Sequence, residues 1–547
     1  MQTEPSYVQG PTDLSLSTET IGRTLRRTVE LFGDREALVV CSQQYRATYQ
    51  ELWVATTALA KALIARGIKK GDRVGIWAPN RYEWVIVQHA TARIGAILVN
   101  VNPAYKAREL EHALNQSGLR LLLLARQFRK TDYRTILQEV RGHCVCLEQT
   151  VVIDDEWNSL LSEAAAIDDA TLAHREDSLE CHDPINIQYT SGTTGSPKGA
   201  TLSHHNILNN GHICGNILSY TENDRVCIPL PFYHCFGMVM GNLACASHGA
   251  CVVVPGEAFD AGDTLAAIDT ERCTSVYGVP TMFIAQLNHP DFNQTDVSSL
   301  RTGIMGGSPC PVEVMKQVRD RMNIREMTIC YGMTETSPVS TQTRRDDSLQ
   351  KRVSTVGRVH PHVEIQIVNP ETNQIVPRGK PGELCTRGYS VMLGYWNDVN
   401  ATTEAIDSNG WMHTRDLASM DDDDYVRIVG RLTDMIIRGG ENIYPREVEE
   451  FLYTHPNIED AQVIGVPSKM YGEEVMAWLK LKTGTDATDE ELSQYCRGQI
   501  ATTKIPRYWK RVETFPMTVT GKIQKFRMRE LAISELDLVD PADKDHA

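Results

Sequence analysis

Residues 189–199 read Tyr-Thr-Ser-Gly-Thr-Thr-Gly-Ser-Pro-Lys-Gly and follow an alternating, strand-like stretch at 185–189. Glycines let a backbone approach an anion closely, hydroxyls donate hydrogen bonds, and Lys198 adds a point charge. A Ser/Thr/Gly-rich run is usually a solvated linker. The apolar strand before this one and its Pro-Lys-Gly ending favour instead a loop that holds a polyphosphate.

The residues after this loop exclude a P-loop kinase. A Walker A loop reads G-x-x-x-x-G-K-[ST], whereas Lys198 is followed by Gly-Ala. Ser203 is predicted to cap a separate helix that begins near His204. His204 and His205 are adjacent, so on a helix their side chains point in different directions and do not share an ion. We interpret both as structural.

Composition describes a globular chain of more than one domain. It has 547 residues, of which 41% are hydrophobic and 23% charged. The balance of 55 basic and 70 acidic residues gives a net charge of −15, which argues against general affinity for nucleic acid or anionic membranes. A polyanionic ligand must therefore be held by a local site.

Cysteine usage and the apolar runs indicate a cytoplasmic location. The 14 cysteines include no CxxC pair, which favours reduced thiols over disulfides or zinc. The start of the chain lacks a basic and apolar signal peptide, and the longest apolar runs, such as 121–125, are too short to span a bilayer. We therefore expect no membrane span.

The first two thirds of the chain alternate helix and strand signals. Thr48-Tyr-Gln-Glu51 is a capping box that opens a helix ending near Gly67. A strand at 73–77, a helix at about 82–94 and a strand at 96–100 form a βαβ pattern, which predicts a parallel sheet. The same alternation from 183 to about 368 predicts a second sheet of this kind. Short strands and turns between 382 and 429 predict a β-rich subdomain.

A domain boundary is predicted near residues 430–434. We expect a domain at 1–430, a hinge at 431–434 and an α+β domain at 435–547. The strands predicted beyond the boundary are 435–438, 461–466, 475–482 and 508–514, and the helices are 446–454 and 490–500.

Further motifs follow the loop in a fixed order. They are Tyr331-Gly-Met-Thr-Glu-Thr336, Gly382-Glu-Leu384 with Gly388, Gly394-Tyr-Trp396, the stretch 411–416, Gly430-Arg431, the stretch 434–445, and Pro516-Met-Thr-Val-Thr-Gly-Lys522. Together they resemble the adenylate-forming (ANL) superfamily, which contains acyl-CoA synthetases, firefly-type luciferases and peptide-synthetase adenylation domains. The resemblance runs from about residue 20 to about residue 530 and favours the acyl-CoA synthetase, or fatty-acid–CoA ligase, branch.

The resemblance implies a fold and a set of ligands. The fold is α/β, with a large N-terminal domain of two α/β sheets and a β-rich subdomain, and a small mobile α+β C-terminal domain. The ligands are a carboxylic acid, ATP, Mg²⁺ and coenzyme A. A homodimer is left open, and nucleic acid is not expected as a partner.

The resemblance also implies roles for individual residues. Lys522 would bridge the carboxylate and the α-phosphate, Glu335 would hold Mg²⁺, Thr334 would contact the α-phosphate, and His234 would gate the acyl pocket. The nucleotide would be bound by Thr190, Ser191, Gly192, Thr193, Thr194, Gly195, Lys198, Gly306, Gly307, Ser308, Tyr331, Gly332, Asp416 and Arg431. The hinge and the pantetheine tunnel would use Thr433, Gly439, Gly440 and Glu441, and the acyl pocket Phe236, Gly237, Met238, Gly278 and Met333.

Two positions depart from the family pattern. Arg415 stands where the family usually has glycine before the ribose-binding aspartate. If that position requires a positive φ, Arg415 carries strain of roughly 1–2 kcal/mol. Thr433 occupies the hinge position, where Asp or Lys is commoner; a hinge needs tolerant φ/ψ angles rather than a charge, so we expect rotation to survive.

The function expected is an AMP-forming carboxylate–CoA ligase that makes an acyl-AMP and then an acyl-CoA. The candidate pocket has no counter-charge for an amino group, which disfavours amino-acid adenylation. Glycine at 237 and 278 would leave room for a chain, so a medium-chain fatty acid is the first choice. Aryl or branched acids are the alternative. A luciferase-like oxygenase shares the same adenylation residues, and a non-catalytic regulator that binds ATP or acyl-AMP is disfavoured because Lys522 and Glu335 are both present.

Overall fold

The computed structural model describes residues 4–190, 197–308, 310–518 and 523–538. The strands are β1 Tyr7–Gln9, β2 Glu36–Val40, β3 Tyr45–Thr48, β4 Arg73–Trp77, β5 Ile97–Asn100, β6 Leu121–Leu124, β7 Gln127–Phe128, β8 Thr131–Asp132, β9 Gln149–Val152, β10 Pro184–Thr190, β11 Lys198–Ser203, β12 Arg225–Cys227, β13 Cys251–Val254, β14 Ser275–Gly278, β15 Thr302–Gly306, β16 Glu326–Gly332, β17 Val339–Gln342, β18 Arg358–Val359, β19 Val363–Val368, β20 Gly382–Gly388, β21 Gly394–Tyr395, β22 Met412–Met420, β23 Val426–Arg431, β24 Ile436–Arg438, β25 Glu441–Ile443, β26 Ile458–Ser468, β27 Gly472–Leu481 and β28 Tyr508–Arg511.

The helices alternate with these strands over most of the chain. They are α1 Ile21–Phe32, α2 Tyr49–Ala65, α3 Tyr82–Ile94, α4 Ala107–Ser117, α5 Tyr133–Val140, α6 Ile153–Ser162, α7 Asp169–Asp177, α8 His204–Ile217, α9 Cys235–Gly237, α10 Ala244–His248, α11 Ala261–Thr270, α12 Pro280–Leu287, α13 Val312–Arg321, α14 Leu349–Ser354, α15 Val399–Ala405, α16 Pro445–Leu452, α17 Asp489–Cys496 and α18 Lys525–Glu535. In the described parts of the chain, no helix has both the length and the apolar character that crossing a membrane demands.

A seven-stranded sheet in the order β21-β11-β10-β5-β4-β6-β9 contains the predicted βαβ unit. β4 and β5 pair in parallel and α3 connects them, as expected. The prediction was wrong about β10, which was expected in the second sheet. β10 pairs in parallel with β5 and so extends the first sheet, while β11 folds back against it as a hairpin.

The second α/β sheet has nine strands in the order β18-β17-β16-β15-β14-β12-β13-β2-β3. The early hairpin of β2 and β3 closes one edge, because β2 pairs in parallel with β13. The two sheets are therefore interleaved along the chain rather than consecutive, since each takes strands from both sides of residue 183.

Helix α3 lies between these sheets and is buried on all sides. Every residue from 83 to 94 is buried, including several polar ones. Arg93 is 2% exposed, and its Nε donates to Glu176 Oε1 at 2.6 Å. Burial, reinforced by the Arg93 charge, lowers the pKa of His89 to about 4, so this imidazole is neutral in the core.

The β-rich subdomain is a five-stranded antiparallel sheet in the order β1-β19-β20-β22-β23. It begins at β19 and recruits β1 from the start of the chain, so it is larger than the predicted stretch 382–429. Antiparallel sheets are joined by short turns, which is why the sequence there shows turns at close spacing.

The C-terminal unit has its own sheet, with β25-β24-β27-β26 in order and β28 paired to β27. All four predicted strands are present within a few residues of their expected bounds, and so are both predicted helices, as α16 and α17. The sequence did not predict β25 or α18. The fold class is confirmed as mixed α/β with several sheets and a separate C-terminal domain, whereas the exact bounds at 430 and 434 stay a prediction.

Arg415, on β22, has a φ of 60°, in the left-handed region. Replacing it by glycine should relieve roughly 1–2 kcal/mol of backbone strain and cost about 0.5–1 kcal/mol of chain entropy. We expect Arg415→Gly to leave the free energy of unfolding unchanged or to raise it, as measured by denaturant titration.

Arg427 is the matched control, since it is exposed on the neighbouring strand β23 and its φ is not positive. Arg427→Gly should lower the free energy of unfolding by about 1 kcal/mol. Equal destabilisation by both substitutions would contradict the assignment of strain to Arg415.

Candidate active site

The hairpin of β10 and β11 presents the predicted phosphate loop. Thr190 ends β10 and Lys198 begins β11, and the two residues are register partners. Residues 191–196 lie outside the described part of the chain, so the structure does not test the expectations for Ser191, Gly192, Thr193, Thr194 and Gly195. Lys522 also lies outside the described residues. The helix capped by Ser203 is confirmed: Ser203 Oγ accepts from Asn206 N at 3.1 Å.

Glu335 lies beside this hairpin on a 3₁₀ turn, Thr334–Thr336, and is 4% exposed. Its Oε1 accepts hydrogen bonds from Thr190 Oγ1 at 3.2 Å and from Tyr395 Oη at 2.8 Å. Within the described residues, no lysine or arginine forms an ion pair with this carboxylate. Among the described residues, this buried carboxylate thus has hydroxyl donors but no ion-pair partner.

Lys198 lies near this carboxylate without pairing with it. Its Nζ is 5.3 Å from the centroid of the Tyr395 ring. Tyr395 is positioned by β21, which pairs with β11 at Ala200. The ammonium, the phenol and the Glu335 carboxylate therefore cluster at the root of the loop.

A second cluster surrounds Asp416, which is 9% exposed on β22. Tyr331 Oη donates to Asp416 Oδ2 at 2.8 Å, and Arg431 Nε donates to Asp416 Oδ1 at 3.1 Å. Asp416 and Arg431 are register partners on β22 and β23. Burial raises the pKa of the Asp416 carboxyl, and the Arg431 charge opposes that rise.

The Arg431 side chain is 59% exposed, so its ion pair with Asp416 faces solvent on one side. Exposed pairs of this kind stabilise a fold by about 0–1 kcal/mol. The contribution of this ion pair to folding stability is therefore small. Both Asp416 and Arg431 can still form hydrogen bonds with a ligand.

Glu383 holds the strained backbone next to Asp416. Its Oε1 accepts from Arg415 N at 2.9 Å, and its Oε2 accepts from His413 Nδ1 at 3.0 Å. The Glu383 carboxylate raises the pKa of the His413 imidazole. The sequence analysis did not single out Glu383, although it lies in the Gly-Glu-Leu motif.

The predicted adenine slot follows β15. Gly306 ends this strand, and a Cβ on it would lie 2.9 Å from Cys330 Sγ. Gly307 has a φ of 82°, a conformation that favours glycine. Ser308 comes next, and Gly332 ends the adjacent strand β16. The slot residues thus lie at neighbouring strand ends, where parallel strands meet one edge of the sheet.

His234 caps the short helix α9. Its Nδ1 accepts from Phe236 N at 3.1 Å, and Cys235 Sγ lies 3.7 Å from Thr334 Oγ1. The Phe236 ring stacks near the Tyr277 ring with centroids 5.8 Å apart. The candidate gate and the start of the acyl pocket therefore adjoin the residue expected at the α-phosphate.

The remaining acyl-pocket residues do not give the room that was expected. A Cβ on Gly237 would lie 2.7 Å from Pro231 O, and one on Gly278 would lie 3.0 Å from the Phe283 ring. Met238 Sδ contacts the amides of Asn100 and Gln188. The two glycines allow close packing rather than an open channel. Met333 is half-buried against the core.

The predicted hinge and tunnel residues lie at the surface of the C-terminal unit. Thr433 is exposed in the turn after β23. Gly439 and Gly440 join β24 to β25 with φ angles of 60° and 86°, the two-residue hairpin turn that glycine pairs favour. Glu441, which begins β25, is exposed as well.

Sequence reasoning missed Tyr395 as a partner of Glu335. It lies in the Gly394-Tyr-Trp396 motif, so the motif was seen but its phenol was given no role. The pairing of β21 with β11 could not be inferred, because nearly 200 residues separate the two strands.

Comparisons with known proteins identify the family to which the chain belongs. A family model described as AMP-binding enzyme matches residues 25–396, and one described as AMP-binding enzyme C-terminal domain matches residues 447–522. YngI of Bacillus subtilis (strain 168), to which an acyl-CoA synthetase function is ascribed, is 49% identical over 95% of this chain and 98% of its own length. The mitochondrial medium-chain acyl-CoA ligase ACSF2 of Bos taurus is 44% identical over 97% of this chain and 91% of its own.

A solved structure extends the likeness to three dimensions. The anthranilate CoA ligase AuaEII, in complex with anthranoyl-AMP, aligns with a TM-score of 0.85 and 26% identity, covering 96% of this chain and 99% of its own. The family models alone match most of the chain, and the relatives match nearly all of it. The chain belongs to the AMP-binding enzyme family, in the acyl-CoA synthetase branch of the adenylate-forming superfamily, and is an acid–thiol ligase.

Proposed function

We propose that this enzyme activates a medium-chain fatty acid with ATP and transfers the acyl group to coenzyme A. The proposal that the site binds a nucleotide rests on the contacts made by the short segment 331–335. At one end Tyr331 bonds Asp416, and at the other end Glu335 accepts a bond from Thr190. One segment therefore joins a cluster suited to ribose hydroxyls to a cluster suited to phosphates.

The nucleotide is proposed to lie along this segment. Asp416 and Arg431 bind the ribose hydroxyls, and the strand ends at Gly306, Gly307 and Gly332 flank the adenine. Thr190, Lys198 and the loop between them hold the phosphates, together with Thr334.

Glu335 fits a role as a ligand of Mg²⁺. Mg²⁺ sites in nucleotide enzymes use one or two carboxylates, with phosphate oxygens and water completing the shell. The Glu335 carboxylate is buried and has no cation paired to it among the described residues, which matches that donor set. When bound, the ion would neutralise charge on the β- and γ-phosphates and stabilise the departing pyrophosphate.

The first half-reaction joins two anions. A carboxylate oxygen of the fatty acid attacks the α-phosphorus, the bond from that phosphorus to the pyrophosphate oxygen breaks, and acyl-AMP forms. Fixed positive charge and orientation lower this barrier, so no general base is needed. Lys522 is proposed to supply the charge between the carboxylate and the α-phosphate.

The second half-reaction replaces AMP by a thiol. The sulfur of coenzyme A attacks the acyl carbonyl, and the bond from that carbon to the phosphate oxygen of AMP breaks. Rotation of the C-terminal unit at Thr433 is proposed to withdraw Lys522 and to bring the turn of Gly439 and Gly440 to the pantetheine chain.

The acyl preference rests on relatives and on local chemistry. ACSF2 relatives are medium-chain ligases at 42–44% identity. Phe236, Met238 and Met333 are apolar, with no charge among them to bind an amino group. The likeness to an anthranilate CoA ligase keeps an aryl acid as the alternative. Lipid metabolism and a cytoplasmic location are proposed with this substrate, and the homodimer stays open.

An acid panel tests the substrate class. Pyrophosphate release is measured with and without coenzyme A for straight-chain acids from acetate to palmitate, and for benzoate. We expect the highest kcat/KM for acids of intermediate length, with AMP formed in step with the thioester. A maximum at benzoate would favour the aryl alternative. Oxygen uptake or light emission would point to a luciferase-like reaction instead.

Substituting Glu335 tests the metal site. Glu335→Gln keeps an oxygen that can accept from Thr190 and Tyr395 but removes the charge that would bind Mg²⁺. We expect a loss of adenylation of at least about 100-fold, comparable to the loss of one electrostatic contact at a transition state, with a raised Mg²⁺ requirement and an unchanged melting temperature. Glu326→Gln, on the same segment of chain at the start of β16, is the control and should retain activity. Normal Mg²⁺ dependence in Glu335→Gln would rule out the assignment.

Two substitutions in the C-terminal unit should separate the half-reactions. Lys522→Ala should abolish formation of acyl-AMP from ATP but retain thioester formation from supplied acyl-AMP. Gly440→Leu should do the reverse, because a side chain on the hairpin turn would obstruct the pantetheine chain.

The glycine test needs a control for backbone strain, since Gly440 has a φ of 86°. Gly484 has a φ of 78° on the same unit and, like Gly440, has open space around its Cα. Gly484→Leu should therefore carry similar strain without affecting the thiol step. Equal loss of both half-reactions in Lys522→Ala, or equal effects of the two leucine variants, would refute the proposed division.

A further inference from the structure

Cys181, His182 and His205 come together at the base of the β10–β11 hairpin. Cys181 and His182 lie in the turn just before β10, and His205 lies in the first turn of α8, just after β11. One ligand atom from each residue lies within 4.8 Å of the other two. The sequence analysis treated His204 and His205 as structural, but in the structure the two side chains have different surroundings.

His204 points into the core, where it is fully buried and its Nδ1 accepts from Ile21 N at 3.2 Å. His205 faces the other way, and its ring centroid lies 4.7 Å from that of His182. The two adjacent histidine rings thus have different partners. His205 instead meets a histidine and a cysteine from 23 and 24 residues earlier in the chain.

The hydrogen bonds around His205 leave its Nε2 free to bind a metal. Asn209 Nδ2 has two N–H groups, which donate to Ser17 O at 3.0 Å and to His205 O at 2.9 Å. His205 Nδ1 lies 3.2 Å from the same Ser17 O and 3.2 Å from Asn209 Nδ2. Because both N–H groups of that amide already have carbonyl acceptors, we assign the ring proton to His205 Nδ1, which donates it to Ser17 O. A histidine that donates one ring nitrogen to a backbone carbonyl presents the other with its lone pair outward, as metal-binding histidines do.

The backbone holds the three residues in place. His205 N donates to Cys181 O at 2.7 Å, so the turn and the helix are joined directly. Cys181 is half-buried and His182 is exposed, so an ion can reach the cluster from solvent.

We propose that Cys181, His182 and His205 form a binding site for Zn²⁺, or for a divalent transition ion of similar softness, with water as the fourth ligand. Zn²⁺ favours cysteine sulfur and histidine nitrogen in tetrahedral sites, and bonds of about 2.0–2.3 Å place neighbouring ligand atoms roughly 3.3–3.8 Å apart. The present separations need to shrink by about 1 Å, which a rotamer change of the exposed His182 can provide.

A second cluster, of Glu383, Cys385 and His413, is not a comparable site. Glu383 already accepts bonds from Arg415 N and from His413 Nδ1, and Cys385 is 0% exposed. Its donor atoms are occupied by one another and by the backbone. The Cys181 cluster differs in having a half-buried thiol and an exposed imidazole, so an ion can reach it from solvent.

The ion would link the two strands of the β10–β11 hairpin at its open base, at the end opposite the phosphate loop. Its ligands precede β10 and follow β11, whereas the loop lies beyond the other end of both strands. Seven residues of strand place that loop about 20 Å from the cluster. The ion would therefore stabilise the fold and would not touch the nucleotide. It differs from the Mg²⁺ proposed at Glu335 because Zn²⁺ prefers sulfur and nitrogen ligands, whereas Mg²⁺ prefers oxygen ligands.

Zinc binding to the full-length, chelator-treated enzyme tests the proposal. Isothermal titration in excess Mg²⁺ should show one equivalent of Zn²⁺ bound by the native protein, with an upward shift of its melting temperature. Cys181→Ser and His182→Asn should weaken that binding by more than about 100-fold, since changes outside a coordination shell already cost about 10–100-fold. His182→Asn is included because the side chain is exposed, and exposed side chains contribute little to folding stability.

The matched controls are Cys146→Ser and His143→Gln, an exposed thiol and an exposed imidazole elsewhere on the protein. Both should bind zinc as the native protein does. Co²⁺ gives a second readout: the native complex should show a thiolate charge-transfer band and the intense visible bands of a tetrahedral site, and Cys181→Ser should lose the charge-transfer band. Equal zinc binding by all four variants, or no equivalent bound by the native protein, would overturn the proposal, whatever the outcome of the acyl-CoA ligase assays.

Discussion

The buried carboxylate of Glu335 is the constraint on which the candidate active site depends. An ionised carboxylate that is 4% exposed is costly unless hydrogen bonds or a cation compensate for its lost hydration. The described residues provide hydroxyl donors from Thr190 and Tyr395 but no paired cation. A buried carboxylate without a paired cation is suited to a positively charged ligand, which is the basis of the metal role proposed for Glu335.

Three separate parts of the chain must meet to build this environment. Thr190 comes from the end of β10, Glu335 from the turn after β16, and Tyr395 from β21, which pairs with β11. β10 belongs to the first α/β sheet and β16 to the second. The phosphate end of the site thus lies where the two sheets adjoin, and the all-round burial of α3 between them fixes their relative position.

The ribose end depends on an antiparallel pairing rather than on a sheet junction. Asp416 and Arg431 face each other across β22 and β23, and Tyr331 reaches Asp416 from β16. Arg415, directly before Asp416, takes up a left-handed conformation that costs free energy. The Glu383 carboxylate offsets part of that cost by accepting a hydrogen bond from the backbone N–H of Arg415. The left-handed conformation before Asp416 is therefore held by a carboxylate of the neighbouring strand β20.

Local signals in the sequence predicted several elements, and long-range pairings account for part of what it missed. The capping box at Thr48, the cap at Ser203 and the strand at 73–77 are short-range features, and the structure has each of them. The place of β10 in the first sheet and the pairing of β21 with β11 depend on contacts between distant segments, which no local pattern encodes. The same limit explains His205, whose direction on α8 was readable from its spacing to His204 but whose partners, Cys181 and His182, were not.

The two glycines expected in the acyl pocket show that one residue type can serve two opposite structural purposes. Glycine at 237 and 278 was expected to leave space, yet each Cα packs against a neighbour, Pro231 O in one case and the Phe283 ring in the other. A glycine removes a side chain either to open a cavity or to let two segments touch, and the sequence does not distinguish these cases. Here the close contact at Gly237 holds the turn of His234 and Phe236 against Thr334 through Cys235. Gly237 therefore serves close packing beside Thr334, the residue expected at the α-phosphate.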